Sequence, residues 1–273
     1  MRALVSGSHG FIGGHLCKRL EQLGCEVIRI NRELIFSAID ELYIPGSYIF
    51  HLASYGNLYY QEDTTEMVRA NVVNLHKFLM ICAPFPYNVF VNMSTSSIYL
   101  PFPTMYSATK KAGEDIVHAY RTIYNKPVIN IRPFTIVGPG EHAVHFIPKL
   151  IRSCLYGEPI YLNPYPVHDY IDVRDFVEIL ISIVIPLGVK IRIADYDIGS
   201  GKETSNKQIL KIVEELTGKK VVLGSSDASE FDCAIRPYDI KKGWSAKSGY
   251  PREYVLKQTI ADMIEYEKQR SKT

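Results

Sequence analysis

The chain has 273 residues, 47% hydrophobic and 22% charged, with 31 lysines and arginines against 29 aspartates and glutamates for a formal net charge of +2. That composition supports a real core, and the interspersed signs exclude the basic stripe of a nucleic-acid binder. Five scattered cysteines with no C-x-x-C pair read as reduced thiols, and a strand pattern starts directly after Met1, so a cytoplasmic protein without a leader segment is expected.

Residues 2–6 form a short apolar strand, followed by glycines and a helical pattern over 11–23 with Gly24 as its C-cap. Strand-length β-rich runs follow at 26–30, 48–52, 88–92 and 128–131, separated by helical patterns notably at 62–82 and 106–124. Such alternation predicts an α/β fold, a Rossmann-type doubly wound parallel sheet covered on both faces. Beyond about residue 138, five prolines (139, 148, 159, 164 and 166) punctuate shorter segments. The apolar run 176–189 contains Glu178 and Pro186 and falls short of the ~20 residues of a membrane span, so a buried helix is expected there. Amphipathic helices at 205–216 and 252–267 complete a smaller C-terminal lobe. The expected division is 1–137 plus about 167–198 for a dinucleotide-binding domain, and about 138–166 plus 199–273 for a substrate lobe.

Gly7-Ser-His9-Gly10-Phe11-Ile12-Gly13 lies between the first strand and the first helix. Glycines there allow a sharp turn, close approach of backbone to a diphosphate, and tight helix–strand packing, while the helix N-terminus offers free N–H groups to the anion. A carboxylate about 20 residues on would hold the ribose 2′-OH of NAD, whereas an arginine accommodates a 2′-phosphate. Asn31 and Arg32 occupy that place, so NADP(H) is the preferred cofactor, with NAD(H) possible.

Tyr106-Ser-Ala-Thr-Lys110 puts a phenol and an ammonium on one helical face. A nearby cation favours the phenolate and brings a tyrosine, normally near pKa ~10, toward the working range. Ser94-Thr95-Ser96-Ser97 ends the preceding strand, where parallel-sheet proteins bind ligands.

The glycine turn, the strand-end hydroxyls and the Tyr–Lys pair, in that order, resemble the extended short-chain dehydrogenase/reductases, and specifically their nucleotide-sugar branch. The resemblance spans nearly the whole chain. It includes His51-Leu52-Ala53, Asn71-Val72, Arg132-Pro133, Gly138-Pro139-Gly140, Asp169-Tyr-Ile-Asp172 and Gly199-Ser-Gly201. It implies that Tyr106 is the proton donor or acceptor, that Lys110 binds the nicotinamide ribose and tunes the phenol, and that Thr95 binds the substrate oxygen. Leu52 and Ala53 would border the cofactor, and Ser96, Ser97, His145, His168 and Arg236 the substrate, a nucleotide-diphosphate sugar. No nucleic acid, membrane or metal is expected, since His142 and His145 lack a third ligand. A homodimer through helices 62–82 and 106–124 is implied by resemblance only.

Sugar dehydratases of this type carry an Asp-Glu pair where this chain has Ser96 and Ser97, so dehydration is not expected. GDP-fucose synthases place a cysteine at position 97 and a histidine before Ile-Pro; here His145-Phe-Ile-Pro148 keeps the histidine while Ser97 replaces the thiol. The chain is also similar to the short CDP-6-deoxy-4-ketohexose reductases. Reduction of a nucleotide-diphospho-4-keto-6-deoxysugar at C4 is therefore the leading expectation, a 4-epimerase the alternative, and a non-catalytic dinucleotide sensor the third. Two departures from the branch stand out. Only six residues separate Tyr99 from Tyr106, and His168 replaces an arginine expected to meet the diphosphate. Arg236 supplies the lost charge or lies on the surface.

Overall fold

In the computed structural model the described residues are 1–30, 45–185, 191–224, 244–245 and 255–271. Asn31, Arg32, Cys233 and Arg236 lie outside them. The chain divides into two compact units, Met1–Pro133 with Val177–Ile198, and Phe134–Phe176 with Gly199–Thr273.

The first unit is built on parallel strands β1 (Arg2–Ser6), β2 (Glu26–Ile30), β3 (Tyr48–His51), β4 (Val89–Met93), β5 (Val128–Pro133) and, from the segment that returns to it, β8 (Tyr196–Gly199). Their order across the sheet is β2-β1-β3-β4-β5-β8. Strands buried on both faces read as apolar runs, and β4 (Val-Phe-Val-Asn-Met) is buried at all five positions. Helix α1 (Phe11–Gln22) follows β1. A helix α2 follows β3, α-helical over Thr64–Val68, π over Arg69–Val73 and α-helical again over Asn74–Cys82. Helix α3 (Met105–Tyr124) joins β4 to β5. Its start is fixed by a capping box, in which Thr104 accepts from the Ser107 amide and the Ser107 hydroxyl accepts from the Thr104 amide. Leu4, Ile49, Phe78, Leu79 and Phe90 form the core between the sheet and helices α2 and α3.

The chain leaves β1 for β2 on one side and returns to β3 on the other, so the strand order reverses at β1. In open α/β sheets, ligands bind beyond the carboxyl ends of the strands at such a point. The residues at those ends are Gly7 after β1, Leu52 after β3 and Ser94 after β4.

In the second unit β6 (Thr135–Val137) pairs parallel with β7 (Val167–Asp172), and β7 pairs antiparallel with β9 (Glu203–Ser205). Helices α4 (Phe146–Tyr156), α6 (Asn206–Thr217) and α7 (Leu256–Arg270) pack with that sheet around Ile147, Leu150, Tyr170, Ile209 and Ile260. Helix α5 (Val173–Val184) runs on from β7. Residues 134–137 and 167–176, assigned to the first unit from sequence, group with the second because β6 and β7 pair with each other rather than with the large sheet. No helix among the described residues is long and apolar enough to cross a membrane.

Candidate active site

The glycine turn is dictated by close packing. Gly7 has φ +72°, and a Cβ there would lie 2.7 Å from the Ala53 amide nitrogen and 2.9 Å from the Leu52 carbonyl carbon. A Cβ on Gly13 would lie 2.1 Å from the Gly7 carbonyl oxygen. Gly10 differs: its Cβ would meet only the Gly7 oxygen, at 3.2 Å, so open space lies on its ligand side. Gly10 is the N-cap of α1, and no side chain caps this helix, leaving the amides of its first turn without side-chain acceptors. These features fit a dinucleotide whose diphosphate rests on the helix start. His9, Phe11 and Ile12 flank the turn, with His9 and Gly10 exposed and Phe11 and Ile12 half-buried.

The turn is tied to the strand next door. The Ser6 oxygen accepts weakly from the Ala53 amide at 3.4 Å and lies 2.8 Å from His51 Nδ1. His51 is buried against Phe78 and Phe90. Desolvation, with the Lys110 charge adding to it, pushes the imidazole down to about 3, so this histidine is neutral at ordinary pH.

Lys110 is buried, and its Nζ donates to the Met93 carbonyl at 2.5 Å. Burial pulls the ammonium down to about 8, opposed by the carboxylate of Glu114 one turn further along α3. The Thr95 hydroxyl favours the Tyr106 phenolate, yet burial wins and pushes the phenol up to about 12. Lys110 is thus engaged with the Met93 carbonyl, and burial dominates the phenol's shift. Thr95 is also the N-cap of a 3-10 turn, Ser96–Tyr99, accepting from the Ser97 amide at 3.2 Å. Ser96 is buried and Ser97 half-buried. Thr95, Tyr106 and Lys110 thus come together at the carboxyl end of β4.

Two further groups here were given no role from sequence. The Asn71 side chain, in the π turn of α2, accepts from the Tyr55 amide at 3.0 Å and donates to the Thr109 hydroxyl at 3.0 Å, locking α2 and the loop after β3 to α3. Glu114 is fully buried on a bidentate pair with Arg132. Asn71 and Arg132 carry part of the family resemblance, but the partners that give them a role are distant in sequence.

The second unit holds His145 and His168. His145 is the N-cap residue of α4, and its Nδ1 lies 3.0 Å from the Glu141 carboxylate, which is nearly buried. Burial raises the Glu141 carboxyl, with His145 opposing. His168 lies on β7 beside Tyr170, with Nδ1 3.4 Å from the Thr135 hydroxyl. Burial lowers it to about 4. It is therefore a neutral donor or acceptor, not a cation standing in for arginine.

A family model described as the NAD dependent epimerase/dehydratase family matches residues 3–186. Among curated proteins, the chain is 26% identical over 278 residues to the "Uncharacterized UDP-glucose epimerase YtcB" of Bacillus subtilis (strain 168), covering 83% of this chain and 85% of that one. It is 26% identical over 264 residues to the CDP-abequose synthase of Salmonella typhimurium, covering 84% and 83%. Among solved structures, MoeE5 in complex with UDP-glucuronic acid and NAD superimposes with a TM-score of 0.83 at 25% identity, over 99% of this chain and 100% of that one.

Proposed function

The chain belongs to the NAD dependent epimerase/dehydratase family, and from that premise we propose that it is a nucleotide-sugar 4-epimerase using NAD and the Tyr106–Lys110 pair. The observation that carries the proposal is the convergence of the Tyr106 phenol, its Thr95 partner and the Lys110 ammonium at the carboxyl end of β4, in a sheet whose glycine turn fits a dinucleotide. Similarity to a UDP-glucose epimerase and to a protein holding UDP-glucuronic acid with NAD weighs toward epimerisation. It weighs against C4 keto reduction, which the sequence alone favours. NAD is the cofactor we propose; a preference for NADP would rest on Arg32, outside the described residues.

When bound, the nicotinamide supplies a hydride acceptor and then donor for C4 of the sugar. Gly7, Gly10, Gly13, Leu52 and Ala53 would hold the dinucleotide, with Lys110 on its ribose. Tyr106 takes the 4-hydroxyl proton as C4 is oxidised and returns it to the oxygen after the sugar has turned its other face. Thr95 steadies that oxygen. With the free phenol near 12, the base form needs cationic help, which Lys110 is placed to give once it exchanges the Met93 carbonyl for the ligand. Serines at 96 and 97 provide no carboxylate pair for loss of water, so the cycle stops at epimerisation. Val73 and Met80 of α2 and Ile123 of α3 are exposed apolar residues, which supports pairing of two copies through these helices; sedimentation would test it.

Incubation with UDP-glucose, UDP-galactose and UDP-glucuronic acid, without added reductant, tests the proposal. A C4 epimer with no net change at 340 nm is expected. Similarity to CDP-abequose synthase keeps 4-keto reduction as the second reading; stoichiometric NADPH oxidation by a CDP-4-keto-6-deoxyhexose, with no epimer formed, would establish that one instead.

A further inference from the structure

Glu114 lies one turn beyond Lys110 on α3 and is 0% exposed, and the chemistry above does not use it. A carboxylate removed from water persists only when paired and hydrogen-bonded, and both of its oxygens are. Arg132 on β5 donates from Nε to Oε1 at 2.8 Å and from Nη2 to Oε2 at 2.7 Å, a bidentate fork. The Ser94 hydroxyl donates to Oε1 at 2.5 Å. Ser94 stands between Met93, whose carbonyl holds the Lys110 ammonium, and Thr95, whose hydroxyl favours the Tyr106 phenolate. Arg132 continues outward: Nη1 donates to the Tyr99 hydroxyl at 3.0 Å, and Nη2 lies 3.2 Å from Asp195. The Tyr99 hydroxyl donates to Asp197 at 2.9 Å. Tyr99 is where the short segment leading to Tyr106 begins, so both ends of the hydroxyl-bearing loop are pinned to one charge network.

We propose that Glu114 is a positioning residue of the reaction, holding the Thr95 hydroxyl and the Lys110 ammonium in register with the Tyr106 phenol through Ser94 and Arg132, and serving as the ammonium's counter-charge. The inference rests on Tyr106 and Lys110 carrying the chemistry proposed above. The groups acting on Lys110 are Glu114 one turn along its own helix, His51 from β3 and the Met93 carbonyl of β4, with Arg132 of β5 behind the carboxylate. His51 is neutral and Arg132 is cationic, so among these Glu114 is the group whose charge favours the ammonium.

The test uses the full chain with Glu114→Gln and Ser94→Ala. Glu114→Gln keeps the shape and leaves Arg132 its contacts to Asp195 and Asp197. NMR titration of the Lys110 side chain in the free protein reads the counter-charge without any turnover. Lys110 should titrate about one pH unit lower in Glu114→Gln, the size of effect one near charge produces. In epimerisation assays kcat should fall at least roughly tenfold with KM nearly unchanged, and the alkaline limb of the kcat profile should move to lower pH. Ser94→Ala, which leaves the ion pair intact, should lower kcat about tenfold, the worth of one lost hydrogen bond to a charged group, without moving the limb. An unshifted Lys110 titration and profile in a folded Glu114→Gln overturns the proposal. Should that variant fail to fold, wild-type kcat in Ser94→Ala overturns it. Activity that survives Tyr106→Phe would overturn the functional proposal instead, and the Lys110 titration would then decide the role of Glu114 by itself.

Discussion

Gly13→Ala and Gly14→Ala place the same methyl group at adjacent positions of α1, and the structure predicts opposite outcomes. A Cβ on Gly13 would sit 2.1 Å from the Gly7 carbonyl oxygen and 2.9 Å from the Gly7 carbonyl carbon and the Ser8 Cα. Ordinary contact begins at 3.4 Å, so the first turn of α1 or the glycine turn must move by 3.4 − 2.1 = 1.3 Å. Both neighbours are backbone, so no side chain can swing away. Overpacking of this kind costs about 1–3 kcal/mol or more, and a shift of an ångström at a positioning element costs about 10²-fold in function. On Gly14 the added Cβ would meet only the Ser8 carbonyl oxygen, at 3.9 Å. Replacing a helical glycine there should stabilise by roughly 0.5–1 kcal/mol. NAD affinity by fluorescence titration and thermal unfolding midpoints measure both effects. Gly13→Ala should weaken NAD by about two orders of magnitude and lower the midpoint, while Gly14→Ala should leave affinity intact and raise it. Equal behaviour of the two variants would refute the packing explanation of the turn.

Tyr106→Phe removes the proton carrier but little buried volume, so kcat should fall by about 10²–10⁴ while NAD affinity stays within a few-fold; rapid-quench turnover and the same fluorescence titration read the two separately. His51 and His168 predict acid sensitivity. Burial lowers them to about 3 and about 4 from 6.5, so below pH 6.5 the unfolded chain binds protons that the folded chain refuses. Their contribution is intact above pH 6.5 and is lost as pH falls from there toward about 4 for His168 and about 3 for His51. At pH 5 each costs about 2 kcal/mol, from 1.5 units at 1.36 kcal/mol per unit. Unfolding midpoints should drop between pH 7 and 5, and His168→Gln should soften the drop; a flat profile would contradict the neutral, buried assignment.

What the sequence disclosed and what it withheld follow from how local each feature is. The turn from Gly7 to Gly13, the strand before it and the Tyr106–Lys110 face are contiguous, so spacing and residue type suffice. Helix α3 announces itself through Thr104, Ser107 and its apolar face, and starts one residue before the helix predicted from spacing. The strands of the second unit are three to six residues long, and β6 pairs with β7 across more than 30 residues, which no local pattern encodes. For that reason residues 167–176, placed in the first unit by local pattern, group with the second. Spacing puts Tyr106 and Lys110 on one face correctly but cannot tell that the ammonium rests on the Met93 carbonyl, a backbone atom. Sequence shows only that His168 replaces the expected arginine; its burial beside Thr135 and Tyr170 is what makes it neutral. Glu114 is invisible in the sequence because its role depends on Arg132 and Ser94, which approach it from two different strands.

The most direct measurement follows the fate of the sugar's own C4 hydrogen. UDP-glucose carrying deuterium at C4, incubated with the purified protein in ordinary water, should yield the C4 epimer with the label retained at C4 and no net nicotinamide oxidation or reduction. Such an outcome means that hydride leaves and returns within one site while Tyr106 handles only the hydroxyl proton. Loss of the label to solvent, or product formed only with stoichiometric consumption of a reduced nicotinamide, would contradict it.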